Sequence, residues 1–178
     1  MGSGPSISSD ISLNTELNAE ERAHYQNPKA IRNLLLNSKV IAMVGLSDKP
    51  HRPSHFVASY LKSEGYRVIP VNPRATEILG EKAYPDLKSI SFPVDIVDIF
   101  RKPAEVPSIV EDAIAIGAKA VWQQLKIINL EAAQAAREHG LVSIVDRCVK
   151  MEHGRYSGNL HWVGMNTEII SARKAKFI

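Results

Sequence analysis

The chain is predicted to be an α/β protein, built as a doubly wound parallel sheet of five strands flanked by helices. Three observations carry this. Five apolar runs, 40–44, 68–71, 94–100, 118–122 and 141–145, recur along the 178 residues, and they are near-continuous, as strands covered on both faces must be. Between them, apolar residues fall three and four apart, the spacing of one helix face. Three of those helical stretches stop at Gly65, Gly117 and Gly140, and glycine closes a helix by adopting a left-handed conformation.

Taken in order, residues 1–26 begin rich in Ser, Gly and Asn and read as a flexible tail. Asn27-Pro28 opens a short helix over 30–36, because proline suits a helix start and Ile31, Leu34 and Leu35 share a face. After the first strand, 53–64 places Phe56, Val57, Tyr60 and Leu61 on one side. The link 75–91 carries Gly80 and Pro85 and reads as an irregular crossover. Helix 104–116 follows, with Val106, Ile109, Val110, Ala113 and Ile114 on one face, and then the alanine-rich helix 130–139. Beyond Cys148 the pattern is mixed, and the end is basic at Arg173, Lys174 and Lys176. One domain over 27–156 is expected, with an extension over 157–178 packed on that domain or on a partner. Repeated β-α units imply right-handed crossovers and a Rossmann-like sheet, for which 3-2-1-4-5 is the simplest strand order.

Composition narrows the function. A 44% apolar content suits one well-cored domain. Lys and Arg exceed Asp and Glu by only 22 to 19, with no dense basic block; that favours an anionic small-molecule ligand and argues against nucleic acid. The single cysteine, Cys148, makes no internal disulfide, and no long apolar run or signal segment is visible. A cytoplasmic protein without membrane contact is expected, with a homo-oligomer left open.

The chemistry concentrates at the carboxyl ends of the strands. The loop Gly45-Leu46-Ser47-Asp48-Lys49-Pro50-His51-Arg52-Pro53-Ser54 joins a strand to a helix, where backbone N–H groups and the helix dipole favour an anion. It lacks G-x-G-x-x-G and the Lys-Ser/Thr ending of a P-loop. Phosphate contact therefore falls to backbone amides near Leu46 and Ser47, to the Ser47 and Ser54 hydroxyls, and to Lys49 or Arg52; a Ser-capped turn with solvated cations is the other reading. The second strand ends Val71-Asn72-Pro73-Arg74. A plain NAD site wants a carboxylate there for the ribose 2′-hydroxyl, whereas Arg74 suits a ribose phosphate.

Phe100-Arg101-Lys102-Pro103 and Trp122-Gln123-Gln124 end the third and fourth strands at the same rim. Cations at a helix start are unfavourable unless an anion or an acidic group lies nearby. Trp122 is either an aromatic wall or core. His51 and His55 lack the companions of a zinc set, and Pro53 separates them, so no metal is expected. Asp95 and Asp98 face opposite sides of a strand, which leaves Asp98 as a hydrogen-bonded structural acid. Cys148 follows Asp146-Arg147 and reads as buried packing or as a thiolate tuned by arginine, with no triad in view. No catalytic residue is assigned.

Together, Val44-Gly45-Leu46-Ser47, Arg52-Pro53-Ser54, Val71-Asn72-Pro73-Arg74, Ile78-Leu79-Gly80-Glu81, Val97-Asp98-Ile99-Phe100-Arg101, Val121-Trp122 and Asp146-Arg147-Cys148 give residues 40–156 a family resemblance. The stretch resembles the small stand-alone CoA-binding proteins, themselves similar to the CoA-binding N-terminal domain of the succinyl-CoA synthetase α subunit. The resemblance implies coenzyme A or an acyl-CoA as ligand, with Gly45, Leu46 and Ser47 at the pyrophosphate. Asn72, Pro73 and Arg74 would meet the phosphorylated ribose, and Phe100, Arg101, Lys102 and Pro103 would lie beside the adenosine. Arg52, Ser54 and Trp122 complete the implied site. One departure stands out: Lys126 occupies a position where the family usually has glycine. The synthetase also needs a phosphohistidine domain and a grasp-type subunit, so a binding or regulatory module is expected and not a ligase. Two alternatives remain, an NADP-type enzyme in which Arg74 reads a 2′-phosphate, and a redox protein that forms a mixed disulfide between Cys148 and CoA.

Overall fold

A computed structural model of the chain describes residues 16–157. Helix α1 (Ala19–Tyr25) and α2 (Pro28–Asn37) precede strand β1 (Val40–Val44), which α3 (Pro53–Ser63) links to β2 (Arg67–Val71). A small hairpin, β3 (Glu77–Ile78) and β4 (Glu81–Lys82), leads to β5 (Ile96–Ile99), and a 3-10 turn at Pro103–Glu105 feeds α4 (Val106–Ala115). Strand β6 (Ala120–Gln123), α5 (Leu130–Glu138), β7 (Val142–Ile144) and α6 (Val149–Ser157) complete the order. The five long strands are all parallel.

The strands are mostly apolar because helices cover both faces. Ile41, Met43, Ile96, Trp122 and Ile144 pack with residues of α2, α3 and α6. Ala42, Ile69, Val97, Ile99 and Val121 pack on the opposite side with residues of α4 and α5. Caps set the helix starts: Asn27 Oδ1 accepts from the Lys29 and Ala30 N–H groups ahead of Pro28, and Asn129 Oδ1 accepts from Ala132 N–H.

The doubly wound parallel sheet is the expected one, but its strand order is not 3-2-1-4-5. The order is β2-β1-β5-β6-β7, which is 2-1-3-4-5 when the five strands are numbered along the chain. Pro70 supplies the physical reason. It lies within β2, its carbonyl accepts from Tyr84 N–H at 2.9 Å, and in an extended strand a residue's N and O point to the same side. The missing proline donor therefore faces away from β1, as an edge strand allows and an interior one does not. The link 72–95 adds the β3–β4 hairpin and an isolated bridge between Val71 and Tyr84 on that edge, then returns to the other side of β1.

The expected tail over 1–26 is ordered over its last part. Asn18 and Glu21 form a reciprocal capping box on α1. Leu17 and Tyr25 are buried with Ala133 and Val145, and Gln26 Nε2 donates to the Val145 carbonyl at 3.0 Å. The mixed stretch after Cys148 begins with α6, and the expected extension over 157–178 lies outside the described residues apart from Ser157, which ends that helix. Among the described residues, no helix is long and apolar enough to cross a membrane.

Candidate functional site

Strand order fixes where a ligand would sit. In a parallel α/β sheet the crevice opens at the carboxyl ends of neighbouring strands whose connections run to opposite sides. Here those strands are β1 and β5, and a cleft of about 860 Å³ lies there, lined by Gly45, Ser47, Arg52, Asn72, Arg74 and Phe100 among others.

Gly45 is the floor where the loops meet. Its φ is +87°, and a Cβ built there would stand 2.5 Å from the Phe100 carbonyl oxygen and 2.8 Å from Arg101 Cδ. Both the backbone conformation and the approach exclude a side chain. Its N–H donates to the Val71 carbonyl at 3.0 Å, tying it to the end of β2. The residue before the loop's turn, Leu46, is fully buried and packs in the core on the α3 side; only its backbone belongs to the rim. The Leu46 carbonyl accepts from Asn72 Nδ2 at 2.9 Å.

Ser47 and Ser54 brace each other's loop. Ser47 N–H donates to Ser54 Oγ at 3.1 Å, and Lys49 N–H donates to Ser47 Oγ at 3.1 Å. In this arrangement the Ser47 amide donates within the loop, and each hydroxyl keeps its own hydrogen. Asn72 Oδ1 accepts from Arg74 N–H at 2.9 Å, an Asx turn that leads Pro73 and Arg74 out of β2. Both are exposed and both line the cleft. Arg52, at the N-cap of α3, is exposed there as well. Among the described residues, Lys49, Arg52 and Arg74 have no carboxylate within salt-bridge distance.

The third-strand loop divides. Phe100 and Arg101 line the cleft, while Lys102 and Pro103 are exposed outside it. Arg101 is already paired: its Nε and Nη2 donate to Glu105 Oε1 at 3.2 and 2.6 Å. This is the acidic neighbour that cations at a helix start require. Glu105, Ser108 and Ile109 also line the cleft, and Glu105 was legible only as the acid four residues after Arg101.

Trp122 is not a cleft wall. It is fully buried among Met43, Ile96 and Ile144, and its Nε1 donates to the Arg147 carbonyl at 2.7 Å. An indole on β6, two strands from β1, packs under α6 because that strand alternates faces within a covered sheet. Lys126 adopts φ 63°, a left-handed conformation that glycine takes most readily, and its N–H donates to Asp146 Oδ1 at 2.8 Å.

Asp98, fully buried, and Cys148, half-buried, form a separate group. Asp98 is fully buried, and its Oδ1 accepts from Gln124 Nε2 at 2.7 Å while Oδ2 has no hydrogen-bond partner among the described residues. Burial pushes its carboxyl up to about 7, against the opposing hydrogen bonds from Gln124 and the Ile99 amide. Cys148 stands at the start of α6, where Glu152 N–H donates to its carbonyl. Burial raises its thiol, and the Asp98 charge raises it further, outweighing the Met151 and Lys150 amides. A neutral thiol at physiological pH speaks against the redox alternative. Among the described residues no group of three metal-ligating side chains is assembled.

A family model described as a CoA binding domain matches residues 39–154. The chain is 43% identical over 130 residues to the uncharacterized protein YneT of Bacillus subtilis, covering 72% of this chain and 96% of that one. It is 43% identical to a solved hypothetical protein from Pyrococcus horikoshii, with a TM-score of 0.70 over 72% of this chain and 91% of the other. It is also 30% identical over 116 residues to an ADP-forming acetate–CoA ligase of Archaeoglobus fulgidus, matching 64% of this chain but only 17% of that enzyme.

Proposed function

This chain belongs to the CoA binding domain family, and we propose that it binds coenzyme A or an acyl-CoA in the cleft at the carboxyl ends of β1, β2 and β5. It acts as a binding or regulatory module. The observation that carries this reading is the pairing of a side-chain-free floor at Gly45 with three cations, Lys49, Arg52 and Arg74, that form no ion pair among the described residues. A polyanion bearing a diphosphate fits such a cradle, since backbone can approach the ligand only where no Cβ intervenes.

Each residue has a distinct task. Gly45 lets the loops after β1 and β5 close to within contact of the same ligand group. The Ser47 and Ser54 hydroxyls donate to a phosphate oxygen while still bracing the loop. Arg74 reads a 3′-phosphate on the ribose through a charge-assisted bond. Phe100, half-buried at the rim, supplies an apolar surface beside a purine.

Thermal unfolding with saturating ligand tests the reading, because a ligand held by the native state raises its melting temperature. CoA is expected to give a larger shift than dephospho-CoA, NAD or NADP. Equal shifts for CoA and dephospho-CoA would remove Arg74 from the reading, and an NADP shift above that of CoA would replace it with a dinucleotide site.

A further inference from the structure

One wall of the cleft carries a carboxylate facing a site otherwise suited to anions. Glu105 lies on the lining with Arg101, and the pair meets at 2.6 Å with side chains 48% and 40% exposed. The carboxylate is fixed from two directions: Oε1 takes the guanidinium, and Oε2 accepts from Lys102 N–H at 3.2 Å. The Arg101 stem crosses Gly45 so closely that a Cβ there would stand 2.8 Å from Cδ. The guanidinium therefore sits beside the loop proposed for the diphosphate, yet it is held by an internal acid.

We infer that Glu105 is the resting counter-ion of Arg101, competing with the ligand for that guanidinium and so setting which anions the cleft accepts. The inference rests on the CoA reading of the site. An exposed ion pair exchanges partners easily, so a diphosphate beside Gly45 takes over Arg101 readily. A lone phosphate, with less charge and one fewer set of acceptor oxygens, does so poorly. Lys102 N–H keeps Glu105 in place after the exchange, and the wall is not disrupted. Asp48 also lines the cleft, but among the described residues Lys49, Arg52 and Arg74 form no ion pair with it or with any other carboxylate, so the pair to be exchanged lies on the Arg101 side.

The test is calorimetric titration of the full chain with CoA and with adenosine 3′,5′-bisphosphate, which carries both ribose phosphates but no diphosphate. Glu105→Gln keeps an acceptor for Lys102 N–H while removing the charge. It is expected to tighten CoA by about threefold, the scale of an exposed pair, and to tighten the bisphosphate by less, widening the preference between them, because a ligand that leaves the pair intact does not meet its full cost. In an Arg101→Ala background the same change is expected to give no gain, since the coupling runs through that guanidinium. Unchanged or weaker CoA binding by Glu105→Gln overturns the inference, as does an unaltered preference or a gain that persists without Arg101. Failure of the underlying reading looks different: the wild-type protein gives no binding heat with CoA at all.

Discussion

Asn72 locks Leu46 in place: its Nδ2 donates to the Leu46 carbonyl at 2.9 Å, joining the loop after β1 to the loop after β2. The same side chain accepts the Arg74 amide through Oδ1. One amide thereby couples the floor of the cleft to its most prominent cation. Asn72→Ala is expected to cost about 1–3 kcal/mol of stability by leaving a part-buried carbonyl without its donor, and to weaken CoA binding as well. Chemical denaturation and titration on the same variant check both; a loss of binding with full stability would show that Asn72 touches ligand directly.

Arg74→Ala separates binding from folding. Arg74 is exposed and has no ion pair among the described residues, so its removal should leave the melting temperature of the free protein unchanged. CoA affinity is expected to fall by about 1.5–3 kcal/mol, the scale of a charged hydrogen bond, and dephospho-CoA affinity to stay near wild type. Titration at matched salt reads the difference, and an unchanged CoA affinity would take Arg74 out of the site.

Gly45→Ala should be far worse than the same change at Gly117. Both have positive φ, at +87° and +70°, but a Cβ at Gly117 meets nothing within 4 Å, whereas at Gly45 it meets the Phe100 carbonyl at 2.5 Å. Left-handed strain alone costs about 1–2 kcal/mol, which is the expectation for Gly117→Ala. The Gly45 variant adds a clash with backbone that cannot rotate away. Comparable melting temperatures for the two variants would contradict the close approach of the β1 and β5 loops.

How much of this was legible depended on whether the signal was local. Helix starts at Pro28 and Pro53, the glycine stops and the apolar strands are short-range patterns, and they appear where the sequence places them. Strand order is a long-range property, and the one local clue to it, Pro70 inside β2, marks an edge only once the direction of its absent donor is known. Trp122 reads as rim by position but is core by facing, because its side chain lies on the face of β6 that α6 covers, among Met43, Ile96 and Ile144. Leu46 shows the reverse. It sits in the middle of a functional loop, yet its side chain is drawn into the core while its backbone stays with the site. The Arg101–Glu105 pair was half visible, since the cation demanded an acid without saying which one.

Asp98 gives the stability curve a defined pH window. Burial raises its folded pKa to about 7 from 3.8, so the folded state holds a proton that the unfolded chain releases between those values. Stability from this group is full below about pH 4 and is lost as pH rises toward 7. Asp98→Asn abolishes the titration while keeping an acceptor for Gln124. The melting temperature of the variant relative to wild type is therefore expected to climb between about pH 4 and pH 7 and to level off above that. A difference that stays flat across that range would mean Asp98 is already ionised when folded. His153 acts in the opposite sense: burial lowers its pKa, so its contribution is lost as pH falls below the ordinary histidine value, and comparing the variant with wild type cancels it.

The same carboxyl bears on Cys148. Burial and the Asp98 charge both raise the thiol's pKa, and alkylation requires the thiolate. Iodoacetamide should therefore modify Cys148 slowly at neutral pH and faster as pH rises above the ordinary cysteine value. Mild oxidation in the presence of CoA should leave no adduct of CoA mass, because too little thiolate is present to attack or be captured. Asp98→Asn removes one of the two raising influences. It should speed alkylation at pH 8 by a measurable factor while burial still holds the rate below that of free cysteine. Intact-protein mass spectrometry over a time course, with Cys148→Ser as the blank, reads every arm. Rapid wild-type alkylation at neutral pH, or a CoA adduct absent from the serine variant, would make Cys148 a reactive thiol and return the mixed-disulfide chemistry to consideration. A rate that Asp98→Asn leaves unchanged would show instead that desolvation alone keeps the thiol protonated.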